Sequence, residues 1–235
     1  MTMHRPDVVS REEWLLARKR LLTREKEATR QRDALAAERR ALPMVRIEKP
    51  YAFDGPEGRR SLLDLFTGRP QLIVYHFMFD PTWSEGCKSC SLFADTFNGA
   101  VQHLRGRDTA FAAISRAPLE KLLAFQRRMG WSFPWYSSAA SDFNYDFHVT
   151  FTPEDHAAGR TEYNYVIQRF PESEAPGSSV FLRDGNDVFH TYSTYARGLD
   201  HLIGTYNLLD LTPLGRHEEG LPHTMSWVRH HDRYE

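Results

Sequence analysis

The chain has 235 residues, of which 41% are hydrophobic and 26% are charged, so one sizeable core can form. Thirty Lys and Arg residues against 31 Asp and Glu residues give a formal net charge of −1, which provides no field to attract nucleic acid or an anionic membrane. The sequence has neither an apolar run of about 18 residues, the length of a membrane-spanning helix, nor the apolar segment of a secretory signal after Met1. Binding to nucleic acid or to a membrane is therefore not expected.

A long helix is predicted at the start of the chain. Residues 10–13 have the Ser-x-x-Glu form of a capping box, and no Gly or Pro follows until Pro43. An apolar stripe with heptad spacing consists of Trp14, Leu21, Ala28 and Leu35. We expect this N-terminal helical arm, residues 1–42, to pack on the main domain in preference to another subunit, with a homodimer contact as the second hypothesis.

Short β-like runs replace the helical period after Pro43, which indicates a domain boundary. The elements expected in chain order are strands at 44–47 and 51–53, a short helix at 61–66, a strand at 72–79, a helix at 91–104, a strand at 109–115, a helix at 118–129, a strand at 161–169, a hairpin at 179–192 and a helix at 199–209. The β-α-β-α order in the middle predicts a parallel sheet covered by helices within a domain of residues 43–213. The tail, residues 214–235, has little core-forming pattern, so we expect it to lie on the surface.

The only two cysteines, Cys87 and Cys90, form a Cys-x-x-Cys pair between a predicted strand and the helix that follows it. Backbone amides at a helix N-terminus stabilise a thiolate, and Lys88 adds a cation next to Cys87. Glu85 opposes this effect by adding negative charge. We therefore expect Cys87 to be the attacking thiol and Cys90 to be the resolving thiol in a dithiol–disulfide exchange.

Three alternatives to disulfide exchange remain open. A thiol peroxidase acting through Cys87 would use Ser84, three residues before it, and an arginine such as Arg116 or Arg183. A non-catalytic binding or assembly module would contain two inert thiols. A Cys-x-x-Cys pair can also supply half of a zinc site. The histidines that would complete such a site are His76, His103 and His190.

Several longer motifs resemble one bacterial family. They are Tyr-His-Phe-Met-Phe at 75–79, Glu-Gly-Cys-Lys-Ser-Cys-Ser at 85–91, Ser-Arg-Ala-Pro-Leu-Glu at 115–120, Gly-Trp-Ser-Phe-Pro-Trp at 130–135, Ser-Asp-Phe-Asn-Tyr-Asp-Phe at 141–147, Phe-His-Thr-Tyr-Ser-Thr-Tyr-Ala-Arg-Gly at 189–198 and Leu-Asp-Leu-Thr-Pro at 209–213. Over roughly residues 14–234 the chain resembles domain of unknown function 899, whose members are described as predicted thioredoxin-like dithiol–disulfide oxidoreductases. This resemblance implies an α/β fold with a thioredoxin-like central sheet flanked by helices, a long N-terminal helix and a C-terminal tail.

The chain departs from the wider thioredoxin pattern near the cysteines. Thioredoxins place Trp directly before the first cysteine, where this chain has Gly86, and a cis-proline at the entry to the hairpin, where Pro176 stands one residue early. The residues expected to shape the site are His76, Trp83, Ser84, Lys88, Gly177 and Ser178. Of these, His76 lies on an apolar strand, where a histidine is more often part of the core.

No nucleotide-binding, phosphate-binding or hydrolase motif occurs in the sequence, so no cofactor and no metal are expected. The expected partner is a protein or small molecule that carries a thiol or a disulfide. One cysteine pair and the absence of an Asn-x-Ser/Thr sequon favour the reducing cytoplasm over a secreted, disulfide-stapled domain.

Overall fold

The structure, a computed structural model, describes residues 6–235, which contain six α-helices and ten β-strands. The helices are α1 (Arg11–Arg40), α2 (Lys88–Arg105), α3 (Leu119–Arg128), α4 (Phe143–Asp146), α5 (Pro153–Ala158) and α6 (Gly204–Leu209). The strands are β1 (Val45–Arg46), β2 (Ala52–Gly55), β3 (Gly58–Ser61), β4 (Gln71–His76), β5 (Thr109–Ser115), β6 (Trp135–Ser137), β7 (Thr161–Tyr163), β8 (Val166–Gln168), β9 (Gly177–Asp184) and β10 (Asp187–Tyr195). None of the helices in this described part is long and apolar enough to cross a membrane.

Eight strands form one mixed sheet in the order β1-β10-β9-β4-β5-β6-β2-β3. Strands β4, β5 and β6 are parallel, whereas β9 pairs antiparallel with the other edge of β4, and β10 pairs antiparallel with β9. A parallel β-α-β unit followed by an antiparallel hairpin on the far side of its first strand is the thioredoxin-like arrangement. The predicted fold class is confirmed.

The central strand β4 separates two apolar cores. Because successive side chains of a strand point to opposite faces, Tyr75 joins Cys90 and the apolar face of α2 in the first core, while Val74 joins Phe143 in the second. Burial on both faces explains why the sequence of β4 is an almost continuous apolar run. The cysteine loop begins at the carboxyl end of β4 and therefore starts from a rigid position.

Helix α1 begins with the predicted capping box. Ser10 Oγ accepts from the Glu13 N–H at 3.2 Å, and the Glu13 carboxylate accepts from the Ser10 N–H at 2.9 Å. No residue of α1 is buried, and Trp14, Leu21 and Leu35 are 45%, 48% and 47% exposed. The expectation that the apolar stripe of the arm packs on the main domain is therefore wrong, although Arg39 near the end of α1 lies over the Tyr192 ring of β10.

The C-terminal tail also differs from its prediction. Val228 and His230 are each 1% exposed, and Met225 and Trp227 pack against the first core. We call residues 225–233 the C-terminal strap. Its expected surface position is wrong, because these few side chains are buried by distant partners and not by a periodic apolar pattern of their own.

Three predicted elements have other forms. The expected strand over 161–169 is the separate hairpin of β7 and β8. The expected helix over 61–66 is one 3-10 turn, Asp64–Phe66, because β3 extends to Ser61. The expected helix over 199–209 is divided into a 3-10 helix, Ala196–Leu202, and α6.

Candidate redox site

The two cysteines lie at the N-terminus of α2, just beyond the carboxyl end of β4. Cys87 is the N-cap residue, and its Sγ accepts a hydrogen bond from the backbone N–H of Cys90 at 3.4 Å. Cys87 is partly exposed, whereas Cys90 is 2% exposed, and both are free thiols. Cys87 is therefore the more accessible residue of the pair, and Cys90 lies inside the protein.

The surroundings separate the pKa values of the two thiols. A hydrogen bond from the Cys90 thiol, followed by the backbone amides of Cys90 and Ser89, lowers the pKa of Cys87 against the opposing effects of burial and Glu172. Burial raises the pKa of Cys90 well above its ordinary value, and the neighbouring Cys87 raises it further. A thiolate therefore forms first on Cys87, the sulfur nearer the helix N-terminus.

The loop that leads from β4 to Cys87 is anchored by two neighbours. The Cys87 N–H donates to the Met78 carbonyl at 3.1 Å, which closes the loop onto its own start. The ammonium group of Lys121 on α3 donates to the carbonyls of Pro81 at 2.7 Å and Trp83 at 2.8 Å. These contacts hold the backbone of the loop in place between two helices.

Gly86 stands directly before Cys87, where thioredoxins have Trp. A Cβ at this buried position would lie 2.7 Å from the Phe77 ring and 2.9 Å from the Phe125 ring. Such distances are too short for ordinary carbon contacts. Glycine is therefore required here by the close approach of the loop to the core.

Five of the predicted site-shaping residues lie on or beside this loop or at the start of β9. Trp83 is partly buried against the first core, while Ser84 and Lys88 are exposed. Gly177 opens β9 opposite the end of β4, and Ser178 donates its hydroxyl to the Val74 carbonyl at 3.2 Å. Over residues 6–235, Ser84 makes no hydrogen bond to Cys87, and no peptide bond is cis.

His76 does not belong to the site, so the expectation that it shapes the site is wrong. Its Nε2 lies 2.8 Å from Ser179 Oγ, and its ring lies against Phe143 and Phe147 in the second core. Strand alternation places it on the face of the sheet opposite Tyr75 and Cys90. Burial, and then the nearby His190, lowers the pKa of His76 to about 3.

The histidines considered for a zinc site do not meet the cysteines. His103 lies at the other end of α2, about 24 Å along the helix axis from Cys87 at 1.5 Å per residue. The Nε2 of His190 lies 2.7 Å from Ser193 Oγ on the β9–β10 hairpin. Within the described part of the chain, no three His, Cys, Asp or Glu side chains come together as a metal site.

The two arginines considered for peroxide binding also have defined positions. Arg183 lies at the opposite end of the strands from the cysteines, where its backbone N–H donates to the Pro70 carbonyl at 2.8 Å. The guanidinium of Arg116 lies over the Tyr145 ring, 4.7 Å from its centroid.

Sequence reasoning missed several residues around the pair. The Tyr75 hydroxyl, in the same core as Cys90, opposes the rise in the Cys90 pKa. Residues of the C-terminal strap contact Glu85 and Gly86. Tyr75 lies within the motif at 75–79, two residues before the cysteine loop. This position was the one feature of the sequence that could have identified it as a neighbour of the cysteines.

Comparison with known proteins gives a family and a set of distant structures. Residues 3–234 match the family described as bacterial protein of unknown function (DUF899), which confirms the resemblance found in the motifs. No curated protein matches significantly. Among solved structures, the chain is similar to peroxidoxin BcpB from Mycobacterium tuberculosis, with 13% identity over 72% of this chain and 96% of that one and a TM-score of 0.46. It is also similar to peroxiredoxin Q from Xanthomonas campestris, with 14% identity over 69% and 90% of the two chains and a TM-score of 0.45.

Proposed function

We propose that this chain, which belongs to the DUF899 family, is a dithiol–disulfide oxidoreductase whose active pair is Cys87 and Cys90. The observation that carries the proposal is the asymmetry of the pair. Cys87 is partly exposed at the N-cap of α2 with a lowered pKa, and Cys90 is buried one turn inside the helix with a raised pKa. This is the arrangement that a nucleophile and a resolving thiol require.

The proposed reaction has two steps. The Cys87 thiolate attacks one sulfur of a substrate disulfide, so a mixed disulfide forms, and the other substrate sulfur leaves as a thiolate that takes up a proton. Cys90 then loses its proton and attacks Cys87 Sγ, which releases the second substrate thiol and forms the Cys87–Cys90 disulfide. The substrate gains two electrons and the protein loses two; a dithiol donor in the reverse reaction restores the reduced pair.

The position of Cys87 favours this proposal over a binding module with inert thiols, because such a module would have both sulfurs buried and unreactive. A thiol peroxidase would begin with the same Cys87 thiolate but would transfer oxygen from a peroxide to sulfur, giving a sulfenic acid. We propose a protein or small-molecule thiol or disulfide as the partner, and the cytoplasm as the compartment, because reduced thiols are maintained there.

The test uses two single-cysteine variants. The reduced Cys90→Ser and Cys87→Ser proteins are incubated with oxidised glutathione, and the adducts are read by intact mass spectrometry. Cys90→Ser should accumulate the mixed disulfide because its nucleophile survives without the resolving thiol, whereas Cys87→Ser should form little. Wild-type protein should lose two hydrogen atoms and retain no glutathione.

The outcomes separate the alternatives. Equal capture by both variants would show that the assigned order of attack is wrong. Two folded but unreactive variants would support the binding module. A parallel incubation with hydrogen peroxide controls for the peroxidase, which would be favoured if Cys87 forms sulfenic acid faster than it forms the glutathione adduct.

A further inference from the structure

The C-terminal strap, residues 225–233, lies against the residues that immediately precede Cys87. Val228 is buried in the same core as Cys90, and His230 is 1% exposed between the cysteine loop and α3. The His230 ring packs edge-on against Phe125, with 5.2 Å between the ring centroids. This end of the chain is therefore built into the surroundings of the cysteine pair although it is far from the pair in sequence.

His230 fixes the peptide group that joins Gly86 to Cys87. Its Nε2 lies 2.9 Å from the Gly86 carbonyl oxygen, and because that oxygen can only accept, Nε2 carries the proton. The same peptide group donates its N–H, that of Cys87, to the Met78 carbonyl at 3.1 Å. Both polar ends of the peptide are thus held, one by the strap and one by the loop itself, which sets the direction from which Cys87 enters α2.

The strap also neutralises Glu85, the carboxylate nearest to Cys87 in the sequence. Glu85 accepts hydrogen bonds from Arg128 on α3 and from Arg233 on the strap, and Arg128 pairs in addition with Asp232 of the strap. Burial opposes the ionisation of Glu85, but these two arginines together hold its pKa below the ordinary value. Without them, a bare negative charge two residues from Cys87 would disfavour a thiolate.

We propose that the C-terminal strap is part of the redox site: His230 is a positioning residue that orients Cys87 through the Gly86 carbonyl, and Arg233 screens Cys87 from the charge of Glu85. This inference rests on the proposed attack by Cys87. It assigns a role in thiol reactivity to two residues of the strap that touch no sulfur.

The experiment measures the thiolate of Cys87 without a disulfide substrate. In Cys90→Ser protein, the only thiol is Cys87, and its rate of alkylation by iodoacetamide is followed as a function of pH. The variants His230→Leu, His230→Gln and Arg233→Gln are added to this background. The matched control is His223→Leu, which replaces an exposed histidine outside the strap.

His230→Leu removes the donor and should move the midpoint of the alkylation profile upward by about half a pH unit, which is about a threefold loss of thiolate at neutral pH. His230→Gln keeps an N–H in the same direction and should restore most of the rate. Arg233→Gln should shift the midpoint in the same direction, and less so at high salt, because added ions screen Glu85. His223→Leu should leave the profile unchanged.

A folded His230→Leu protein with the wild-type midpoint would overturn the positioning role. If that variant does not fold, Arg233→Gln decides whether the strap takes part in the redox site, because the Arg233 side chain is 51% exposed and its loss leaves the core intact. An unchanged midpoint in Arg233→Gln would overturn the screening role. Failure of the proposed function would be seen separately, as wild-type protein that never closes the Cys87–Cys90 bond in the glutathione assay.

Discussion

His76 gives a quantitative prediction about the stability of the protein in acid. Its imidazole is buried on the side of the sheet away from the cysteines, with Nε2 bonded to Ser179 and Nδ1 without a partner among residues 6–235. Its folded pKa of about 3 lies far below the value near 6.5 of an unfolded histidine. Below pH 6.5 the unfolded chain therefore binds a proton that the folded protein does not bind, so stability is present above that pH and is lost as the pH falls.

The size of this loss follows from linkage. Between pH 7 and pH 5 the difference in proton binding amounts to about 2 kcal/mol of unfolding free energy, and any folded pKa below about 4 gives the same figure. His76→Gln keeps an amide that can pair with Ser179 but does not titrate in this range. Between pH 7 and pH 5 the free energy of unfolding of the variant should therefore fall by about 2 kcal/mol less than that of the wild type, whatever the stability of the variant at pH 7.

Urea unfolding at pH 7 and pH 5, followed by tryptophan fluorescence, measures both proteins. The comparison of the two losses cancels the titration of the other groups, including the glutamates and His190. Equal losses in the two proteins would refute the reasoning. The alkylation rate of Cys87 serves as a functional control, and it should be the same in His76→Gln and in the wild type because the sheet separates the two groups.

Two further predictions concern the arm and a buried acid. Trp14, Leu21 and Leu35 are exposed in this chain, and we propose a second copy of the chain as their partner. Deleting residues 1–41 should therefore convert a dimer to a monomer in sedimentation. The same number of chains per particle in the truncated and full-length proteins would contradict this. Burial raises the pKa of Glu174 to about 8 against the opposing hydrogen bond from Thr150. Above about pH 4.3 the unfolded chain releases this proton while the folded protein keeps it, so the stability of the folded protein falls as the pH rises. Glu174→Gln should therefore be more stable than the wild type at pH 7, by on the order of 3 kcal/mol, and the gain should vanish near pH 4; denaturation at both pH values checks it.

The parts of the fold that could be predicted from the sequence are those governed by neighbouring residues. The bounds of β5 are those predicted, and the Ser10 capping box lies where its motif indicates. The cysteine pair falls at a strand-to-helix junction because the apolar run of β4 and the amphipathic period of α2 are both local signals. For the same reason, the heptad stripe of α1 predicts a helix but does not predict what covers it.

The contacts of the C-terminal strap could not be predicted in this way. Gly86 and His230 are 144 residues apart, and Glu85 and Arg233 are 148 residues apart. Polar pairs of this kind have no period, and a histidine or arginine in a polar tail has the same local sequence whether it is buried or exposed. The position of His76 was open for a related reason: alternation along β4 fixes which residues share a face, but only the packing of α2 shows which face carries the cysteines.

The glycine that stands in place of the thioredoxin Trp before Cys87 and the C-terminal strap fit together in this structure. A glycine at position 86 removes the side chain that would otherwise separate the loop from the core, so the Phe77 and Phe125 rings approach the backbone directly. The same absence leaves the Gly86 carbonyl open to His230, which also packs against Phe125. If the glycine and the histidine act together, Gly86→Ala should displace the loop from Phe77 and lengthen the contact with His230. The orientation of Cys87 would then depend on residues at opposite ends of the chain, and the strap would be needed for thiol reactivity even though it contains no reacting group.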